Sequence, residues 1–395
     1  MKILMICEFY NEKLEYQENL LTKYYAKHGH DVTVITSTYE SVFDYYENRH
    51  DNAWPAREYR TENCTVIKLP FRYNILYKMR AYTRIDDILE REKPDLIFIH
   101  DIMLNIPEII RYKKKHPDCV IILDYHADYS NSGKNWLSLR ILHGVLRKWF
   151  LDRIRKYTSR IFPIVPAGTT FLHEVYKVPL EEMEVLPLGA DTDLGAEAKQ
   201  SPRLPELRKA YGIAQGDRVI LTGGKLSPRK RTELIIDAVN ELEDKSLHLI
   251  IVGDASEEDQ DYKNLLLSRA QQGGNIHFAG WLGTREIYEH MAISDIAVFP
   301  ASQSILWQQA ISMGLPLIAG NTGHQSIQYL NLYENIVILD KDRINTRAIK
   351  KELTAILENS ERHQEMREGA ERVTREQLDW NTLIDRTLTL PPKRG

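Results

Sequence analysis

No run of eighteen apolar residues occurs anywhere in the chain, so no segment reads as a membrane-spanning helix. Cysteine is scarce: Cys7, Cys64 and Cys119 are odd in number and far apart. That excludes a disulfide framework and a zinc-ligand spacing, and it fits a reducing cytosol. Charge of one sign is not in excess either. A net charge of −4 argues against general nucleic-acid binding and leaves only local basic patches to look for. The opening residues Met1-Lys2-Ile3-Leu4-Met5-Ile6-Cys7-Glu8 carry a short apolar run that ends in a charge, which reads as a first strand rather than a leader peptide. There is no internal repeat of solenoid length and no low-complexity tract.

What is present is an ordinary globular composition, 43% hydrophobic and 27% charged over 395 residues. That length suits two domains of about 100–200 residues, each able to bury its own core. The first half alternates strands at 3–6, 31–36, 65–69, 96–100, 120–124 and 160–165 with helices at 17–28, 85–92 and 137–156. Residues 201–212, with Pro202 and Pro205, break the pattern and read as a linker. A second series follows, with strands at 219–222, 247–252, 276–279, 296–299 and 317–319. Its helices fall at 232–240, 261–272, 284–292, 307–313 and 346–359. Alternation of this kind predicts parallel sheets covered on both faces, with ligands beyond the carboxyl ends of the strands. The expected architecture is α/β: two tandem Rossmann-like doubly wound domains facing a cleft. The domains are expected at 1–200 and 201–375, with a tail at 376–395 that crosses back to the first.

The most informative stretch is Gly223-Gly224-Lys225-Leu226-Ser227-Pro228-Arg229-Lys230-Arg231, which follows the apolar run Val219-Ile220-Leu221. It reads as a strand, a tight glycine turn, a basic loop and then a helix. Backbone amides at a helix start attract anions. Lys225 and Lys230 can reach both phosphates of a diphosphate, which points to a nucleotide-activated substrate. The plainer alternative is a basic turn capping a helix, since short motifs do arise by chance.

Other segments stand in a fixed order around it. They are Gly29-His30-Asp31-Val32-Thr33-Val34, Pro94-Asp95-Leu96-Ile97, Leu186-Pro187-Leu188-Gly189-Ala190-Asp191, Ile251-Val252-Gly253-Asp254, Phe278-Ala279-Gly280-Trp281-Leu282 and Gln309-Ala310-Ile311-Ser312-Met313-Gly314-Leu315-Pro316. Together, over nearly the whole chain, they resemble a retaining nucleotide-sugar glycosyltransferase with the two-Rossmann GT-B fold, of the large family-four type. The resemblance implies that Lys225 and Lys230 hold the donor diphosphate and stabilise it as a leaving group, as fixed cations do for developing negative charge. Lys225 stands where the family has Arg, which keeps the charge and loses the bidentate fork. Gly224 and Arg229 belong to the same loop and join the donor set, Arg229 as a residue of the helix start. Gly280, Trp281 and Leu282 match the turn whose backbone meets the nucleobase. Trp281 either stacks on the base or plugs the cleft.

The chain also departs from that pattern. The family's two glutamates are missing: Gln309 stands at the place of the second, and the segment before it is short and poor in glycine. Gln309 can still accept a ribose hydroxyl, and Ser302, Gln303 and Ser304 can present amides and hydroxyls to phosphate. The alternative for these three is a polar helix entry. The loop from Glu8 to Glu18 replaces a glycine-rich family loop. Without glycine its backbone cannot approach a phosphate freely, so Glu15, Tyr16, Gln17 and Glu18 are expected to face acceptor or donor through side chains, with Glu15, Tyr16 and Gln17 as the acceptor set. His126, in Asp124-Tyr125-His126-Ala127-Asp128, matches a family histidine near the reacting sugar, where it can hold a hydroxyl or move a proton. Asp128 orients it or binds acceptor. The alternative is a satisfied loop histidine, and His100-Asp101 is the runner-up pair. Asp191-Thr192-Asp193 has the form of a metal-binding pair, but it lies in a junction typical of the metal-free fold, so no metal and no other cofactor is expected.

Residues 134–160 interleave Lys134, Arg140, Arg147, Lys148, Arg153, Arg155, Lys156 and Arg160, opposed only by Asp152, with Trp136, Leu137, Leu139, Ile141, Leu142, Val145, Leu146, Trp149, Phe150 and Ile154. A second basic and aromatic stretch runs over 71–82. Such segments suit an anionic membrane surface; the alternative is an apolar stripe packed on the sheet beneath a solvated face. The expected protein is a cytoplasmic enzyme, peripheral on the inner face of the cell membrane. It moves a hexose from a nucleoside diphosphate, UDP being the commonest carrier in the family, to a glycan or lipid-linked acceptor in cell-surface polysaccharide or glycoconjugate synthesis. Its rivals are a same-fold sugar-nucleotide epimerase and a non-catalytic binding subunit of a glycosyltransferase complex.

Overall fold

The computed structural model describes every residue except 13–15, 42–44, 46–54, 76–77, 84, 133–135, 302–303 and 324–326. The chain divides into two units, one formed by Met1–Pro187 with Trp380–Gly395 and the other by Leu188–Asp379.

The first unit is built on strands β1 (Lys2–Ile6), β2 (Asp31–Ser37), β3 (Arg57–Arg60), β4 (Thr65–Leu69), β5 (Phe71–Ile75), β6 (Met79–Tyr82), β7 (Leu96–His100), β8 (Val120–Tyr125) and β9 (Arg160–Pro163). Its seven-stranded sheet has the order β3-β4-β2-β1-β7-β8-β9. All its pairs are parallel except β3 with β4. The strands are apolar on both faces because both are covered. Ile6, Ile35, Ile97, Ile99 and Leu123 enter one core, while Met5, Val34, Phe98 and Ile122 enter the other. Such a burial is worth about 1.5–3 kcal/mol per side chain. Trp380, Leu383 and Ile384 complete the second core. The Tyr25 hydroxyl meets Thr387 Oγ1 at 2.6 Å, which fixes the C-terminal segment to the helix Gln17–Lys27.

The second unit has β10 (Arg218–Gly223), β11 (Leu247–Val252), β12 (Asn275–Gly280), β13 (Ile296–Phe299), β14 (Leu317–Asn321) and β15 (Ile336–Asp340) in the order β12-β11-β10-β13-β14-β15, all parallel. In each sheet the order reverses once, between β1 and β7 and between β10 and β13. A crevice opens beyond the strand ends at such a reversal.

Two expectations need correction. Residues 201–212 are not a linker: they carry the helix Leu204–Ala210 inside the second unit, and the break lies at Pro187 and Leu188 rather than at 200 and 201. Pro205 sits in that helix's first turn, where its missing N–H costs nothing. The basic stretch at 137–156 is not one α-helix but a π-helical run, Ser138–Arg147, that continues as an α-helix over Lys148–Ile154. The stretch at 71–82 forms the antiparallel hairpin β5–β6.

Candidate active site

In the second unit the loop after β10 is drawn against its neighbours by backbone contacts. The Gly224 N–H donates to the Val252 carbonyl at 2.9 Å, Leu226 N–H to Asp254 at 2.9 Å, and Gly253 N–H to Gly280 at 2.7 Å. Such closeness leaves no room for a side chain at Gly253: a Cβ there would lie 2.1 Å from the Gly224 carbonyl oxygen, and φ is +101°. Gly224, at φ +109°, is the floor of the site. A methyl group on it would sit 3.7 Å from Lys230 Nζ and 3.8 Å from Ser304 Oγ. The ammonium of Lys230 therefore lies over bare backbone beside a hydroxyl, and its burial pulls its pKa down. Lys225 is more exposed and stands 3.8 Å from Asp259 Oδ2. A diphosphate at Gly224 would meet two cations and a hydroxyl, and its charge would repay the burial of Lys230.

Gln309 lies on the helix Leu306–Ser312 with only 9% of its surface exposed. Its Oε1 is enclosed and has no hydrogen-bond partner. An orphaned acceptor of this kind costs about 1–3 kcal/mol until a donor reaches it. The adjacent Gln308 is used differently: its Oε1 accepts from Gly189 N–H at 2.7 Å and anchors the junction segment.

In the first unit parallel pairing sets His100, at the end of β7, opposite Asp124 near the end of β8. Asp124 is fully buried. Its Oδ2 lies 2.8 Å from His100 Nδ1 and 3.2 Å from His126 Nε2. The first contact is a charge contact rather than a well-aligned hydrogen bond. His100 Nε2 reaches Glu18 Oε1 at 3.1 Å, and the two imidazoles stand 4.2 Å apart. Asp101 adopts a left-handed φ of +63°, and its N–H donates to Asp124 Oδ1 at 3.2 Å. Its carboxylate in turn pairs with Arg147.

Burial alone would drive His100 neutral, but Asp124 and Glu18 outweigh it and hold its pKa well above the ordinary histidine value. Burial pushes Glu18 up and His100 more than reverses this, so the carboxyl ends below its usual value. Asp124 follows the same balance and is held low by His100 and His126. The cluster is two carboxylates around an imidazolium, with His126 as the more accessible edge. His100, Asp124 and His126 are also the group among the described residues whose ligand atoms could converge on a metal ion, lying within 4.8 Å of one another.

Comparison with known proteins identifies the family and the fold. The family described as "Glycosyl transferases group 1" matches residues 204–373, and "Glycosyltransferase Family 4" matches residues 19–194. The structure of Anabaena Alr3699/HepE in complex with UDP superposes with a TM-score of 0.69 at 18% identity, over 98% of this chain and all of that one. This chain belongs to the family-four glycosyltransferases of the GT-B fold. A GDP-mannose-dependent α-(1-6)-phosphatidylinositol monomannoside mannosyltransferase of Mycobacterium tuberculosis is 28% identical over 161 residues, 37% of this chain and 40% of the relative. The lipopolysaccharide 1,2-N-acetylglucosaminetransferase of Salmonella typhimurium is 24% identical over 349 residues, 82% of this chain and 83% of the relative.

In this glycosyltransferase Gly224, Lys230 and Ser304 come together, with Lys225 at the rim; Arg229 is exposed on the 3₁₀ turn Pro228–Lys230. Gly280 takes φ +72° after β12, Trp281 is 66% exposed and Leu282 packs partly on the core. Ser302 and Gln303 lie outside the described residues, as does Glu15. Tyr16 is exposed before the first helix. Gln17 is buried, and neither of its amide atoms has a hydrogen-bond partner. Asp128 is buried and its Oδ1 accepts from Ser130 N–H at 2.7 Å and Asn131 N–H at 3.2 Å, so that oxygen holds a turn. Asp191 caps the helix Thr192–Lys199 by accepting from Leu194 N–H. Sequence reasoning missed the wiring of Glu18, His100 and Asp124 to one another and the inward turn of Arg147. The available signal was their position at strand ends and a helix start beside the sheet's reversal.

Proposed function

We propose that this glycosyltransferase moves a hexose from a nucleoside diphosphate, UDP, to a glycan or lipid-linked acceptor with retention of anomeric configuration, in cell-surface polysaccharide or glycoconjugate synthesis. The observation that carries the reading is Lys230 Nζ placed over the Gly224 backbone beside Ser304. Negative charge grows on the diphosphate as the bond from the sugar's anomeric carbon breaks, and fixed cations there stabilise the transition state. The acceptor hydroxyl oxygen bonds to the anomeric carbon on the same face, and its proton passes to the departing diphosphate oxygen. Gln309 takes a ribose hydroxyl on its enclosed Oε1. His126, held by Asp124, takes a hydroxyl of the transferred sugar, while Tyr16 and Gln17 serve the acceptor. His100 supplies one cation between Glu18 and Asp124, while Lys225 and Lys230 meet the charge of the diphosphate, so transfer in this reading needs no metal. Support for UDP comes from the Anabaena neighbour, and support for a glycan or lipid-borne acceptor from the lipopolysaccharide and phosphatidylinositol relatives. We place the enzyme at the cytoplasmic face of the membrane; none of its described helices is long and apolar enough to span one.

The test is slow release of UDP from UDP-hexoses by the purified chain, followed by NMR of the released sugar's anomer. Lys230→Ala should slow release about 10²–10³-fold. No release from any donor, with stable binding to a second glycosyltransferase, assigns the chain as a subunit. Conversion of the nucleotide sugar to its epimer assigns an epimerase.

A further inference from the structure

Arg218 opens β10, Asp295 stands just before β13 and Leu315 two residues before β14. The six strands run parallel, so these residues share the amino edge of the sheet, opposite the edge that carries the loop after β10. At about 3.3 Å per residue, β10 separates that edge from Gly224 by roughly 20 Å. A cavity of about 970 Å³ opens there, wholly within the second unit. It has the size of a small-molecule site, and the transfer reaction proposed above leaves it unused.

The floor of the cavity is apolar, with Ile213, Met291, Met313 and Leu315 buried beneath it. Its wall is cationic: Lys199, Arg208, Lys209, Arg218 and Arg367 line it against two carboxylates, Asp217 and Asp295. Both carboxylates are engaged already. Asp295 accepts from Arg218 at 2.9 Å and from Val219 N–H at 2.8 Å. Asp217 Oδ2 accepts from Ala214 N–H at 2.7 Å and faces His248 Nε2 at 3.1 Å. Arg208 donates to the carbonyls of Ile293, Ala214 and Asp217 rather than to a carboxylate. Among the described residues the side chains of Lys199, Lys209 and Arg367 make no hydrogen bond and no ion pair. Burial depresses the Lys199 pKa; Glu371 opposes this and Arg367 adds to it. Like charges gathered without matching acids repel and oppose folding. A bound polyanion turns the same arrangement into charge-assisted hydrogen bonds.

We propose that this cavity binds an organic phosphate, its apolar or aromatic body on the methionine-lined floor and its phosphate oxygens held by Lys199, Lys209 and Arg367. Thioether side chains adapt to flat aromatic bodies, and a guanidinium takes two phosphate oxygens at once. An inorganic phosphate would leave the floor uncovered. The site is separate from the loop after β10 and does not depend on the transfer reaction.

The test is calorimetric titration of the full chain with 1-naphthyl phosphate, an aromatic body carrying one phosphate. Binding should survive Lys230→Ala, which disturbs the loop after β10, and fall about tenfold or more in Lys209→Ala with Arg367→Ala. Lys209→Arg with Arg367→Lys keeps both charges and should bind within about threefold of the parent. 1-Naphthol and inorganic phosphate, each supplying one part of the ligand, should bind about tenfold or more weakly than the ester. Added salt should weaken the ester and leave naphthol unchanged. Lys209 is exposed and Arg367 partly so, and the urea midpoint of the alanine pair should match the parent's, which separates lost binding from lost folding. No binding by the parent overturns the proposal. So does binding that Lys230→Ala removes, which places the ligand on the loop after β10, or binding that the alanine pair leaves intact, which places it elsewhere on the chain. Inorganic phosphate binding as tightly as the ester overturns the role of the floor, and naphthol binding as tightly overturns the role of the cations.

Discussion

Replacing His100 by Leu keeps side-chain volume in the first unit and removes the cation between two carboxylates. Asp124 is fully buried and Glu18 nearly so, hence the variant leaves two uncompensated acids beside β7 and β8. Breaking a buried pair by removing one partner costs about 3–5 kcal/mol. In a unit of roughly 200 residues each kcal/mol moves the midpoint by about 2–4 °C. The expected fall at neutral pH is therefore about 6–20 °C.

The pH dependence is the sharper part of the same prediction. In the parent, Glu18 and Asp124 are held below their ordinary values. Their contribution is present above the usual carboxylate range near pH 4 and is lost as pH falls through their folded values. His100 is raised, so its contribution is full below about pH 6.5 and is lost as pH rises through its folded value. Stability is thus greatest between these limits. In His100→Leu the strongest lowering influence on both carboxylates is gone, and burial and mutual repulsion are opposed mainly by His126. The folded variant therefore holds a proton on the pair more tightly than the parent does, and the variant's deficit should shrink as pH falls from about 6 to 5, where the parent's contributions from the three groups are level. Scanning calorimetry across that range and at pH 7, with hydrogen exchange of the β7 and β8 amides to assign the transition, measures both. A midpoint within about 2 °C of the parent at pH 7, or a deficit that does not shrink as pH falls, refutes the electrostatic account.

Lys230→Ala should lower turnover about 10²–10³-fold, the usual loss for one donor at a developing anion, with less effect at the more exposed Lys225; initial rates of UDP release measure this. Gly253→Ala puts a Cβ 2.1 Å from the Gly224 oxygen at a left-handed φ, and urea unfolding should show a loss of about 2 kcal/mol or more. Gln309→Met removes an orphaned acceptor, so the protein should be as stable as the parent or more so while UDP affinity measured by calorimetry falls about 5–30-fold. Removal of metal ions with EDTA should leave transfer unchanged, whereas added zinc should inhibit by engaging His126 through the His100–Asp124–His126 group.

The sheets were legible because parallel strands buried on both faces show as short continuous apolar runs, as at 120–124 and 247–252. The hairpin β5–β6 was not, because Phe71-Arg72-Tyr73-Asn74-Ile75 shows four exposed positions in five and no turn signature. Pro202 and Pro205 suggested a linker because proline marks both loop starts and first helical turns, and the sequence does not say which. The loop after β10 was visible as glycines and lysines within a few residues. The histidine cluster was not, since Glu18, His100 and Asp124 meet only through strand register across distant segments. Arg147 read as one more surface cation, because a π-helical winding turns residues by a different angle from the α-helix assumed.

The two sets of residues differ in charge in the sense that this chemistry demands. As a glycosyl bond to diphosphate breaks, negative charge collects on the phosphate oxygens and positive charge on the sugar ring. The loop after β10 offers the ammonium groups of Lys225 and Lys230, with Asp259 3.8 Å from Lys225. The ends of β7 and β8 offer the opposite: two carboxylates for one imidazolium, a surplus of negative charge in a buried place. That surplus does not help the first unit fold, for burying unbalanced charge is costly. Structural stability alone would have matched each charge locally, as Arg147 matches Asp101. The missing glutamates of the donor loop fit the same logic, because Gln309 keeps an acceptor for a hydroxyl without placing another anion beside the diphosphate.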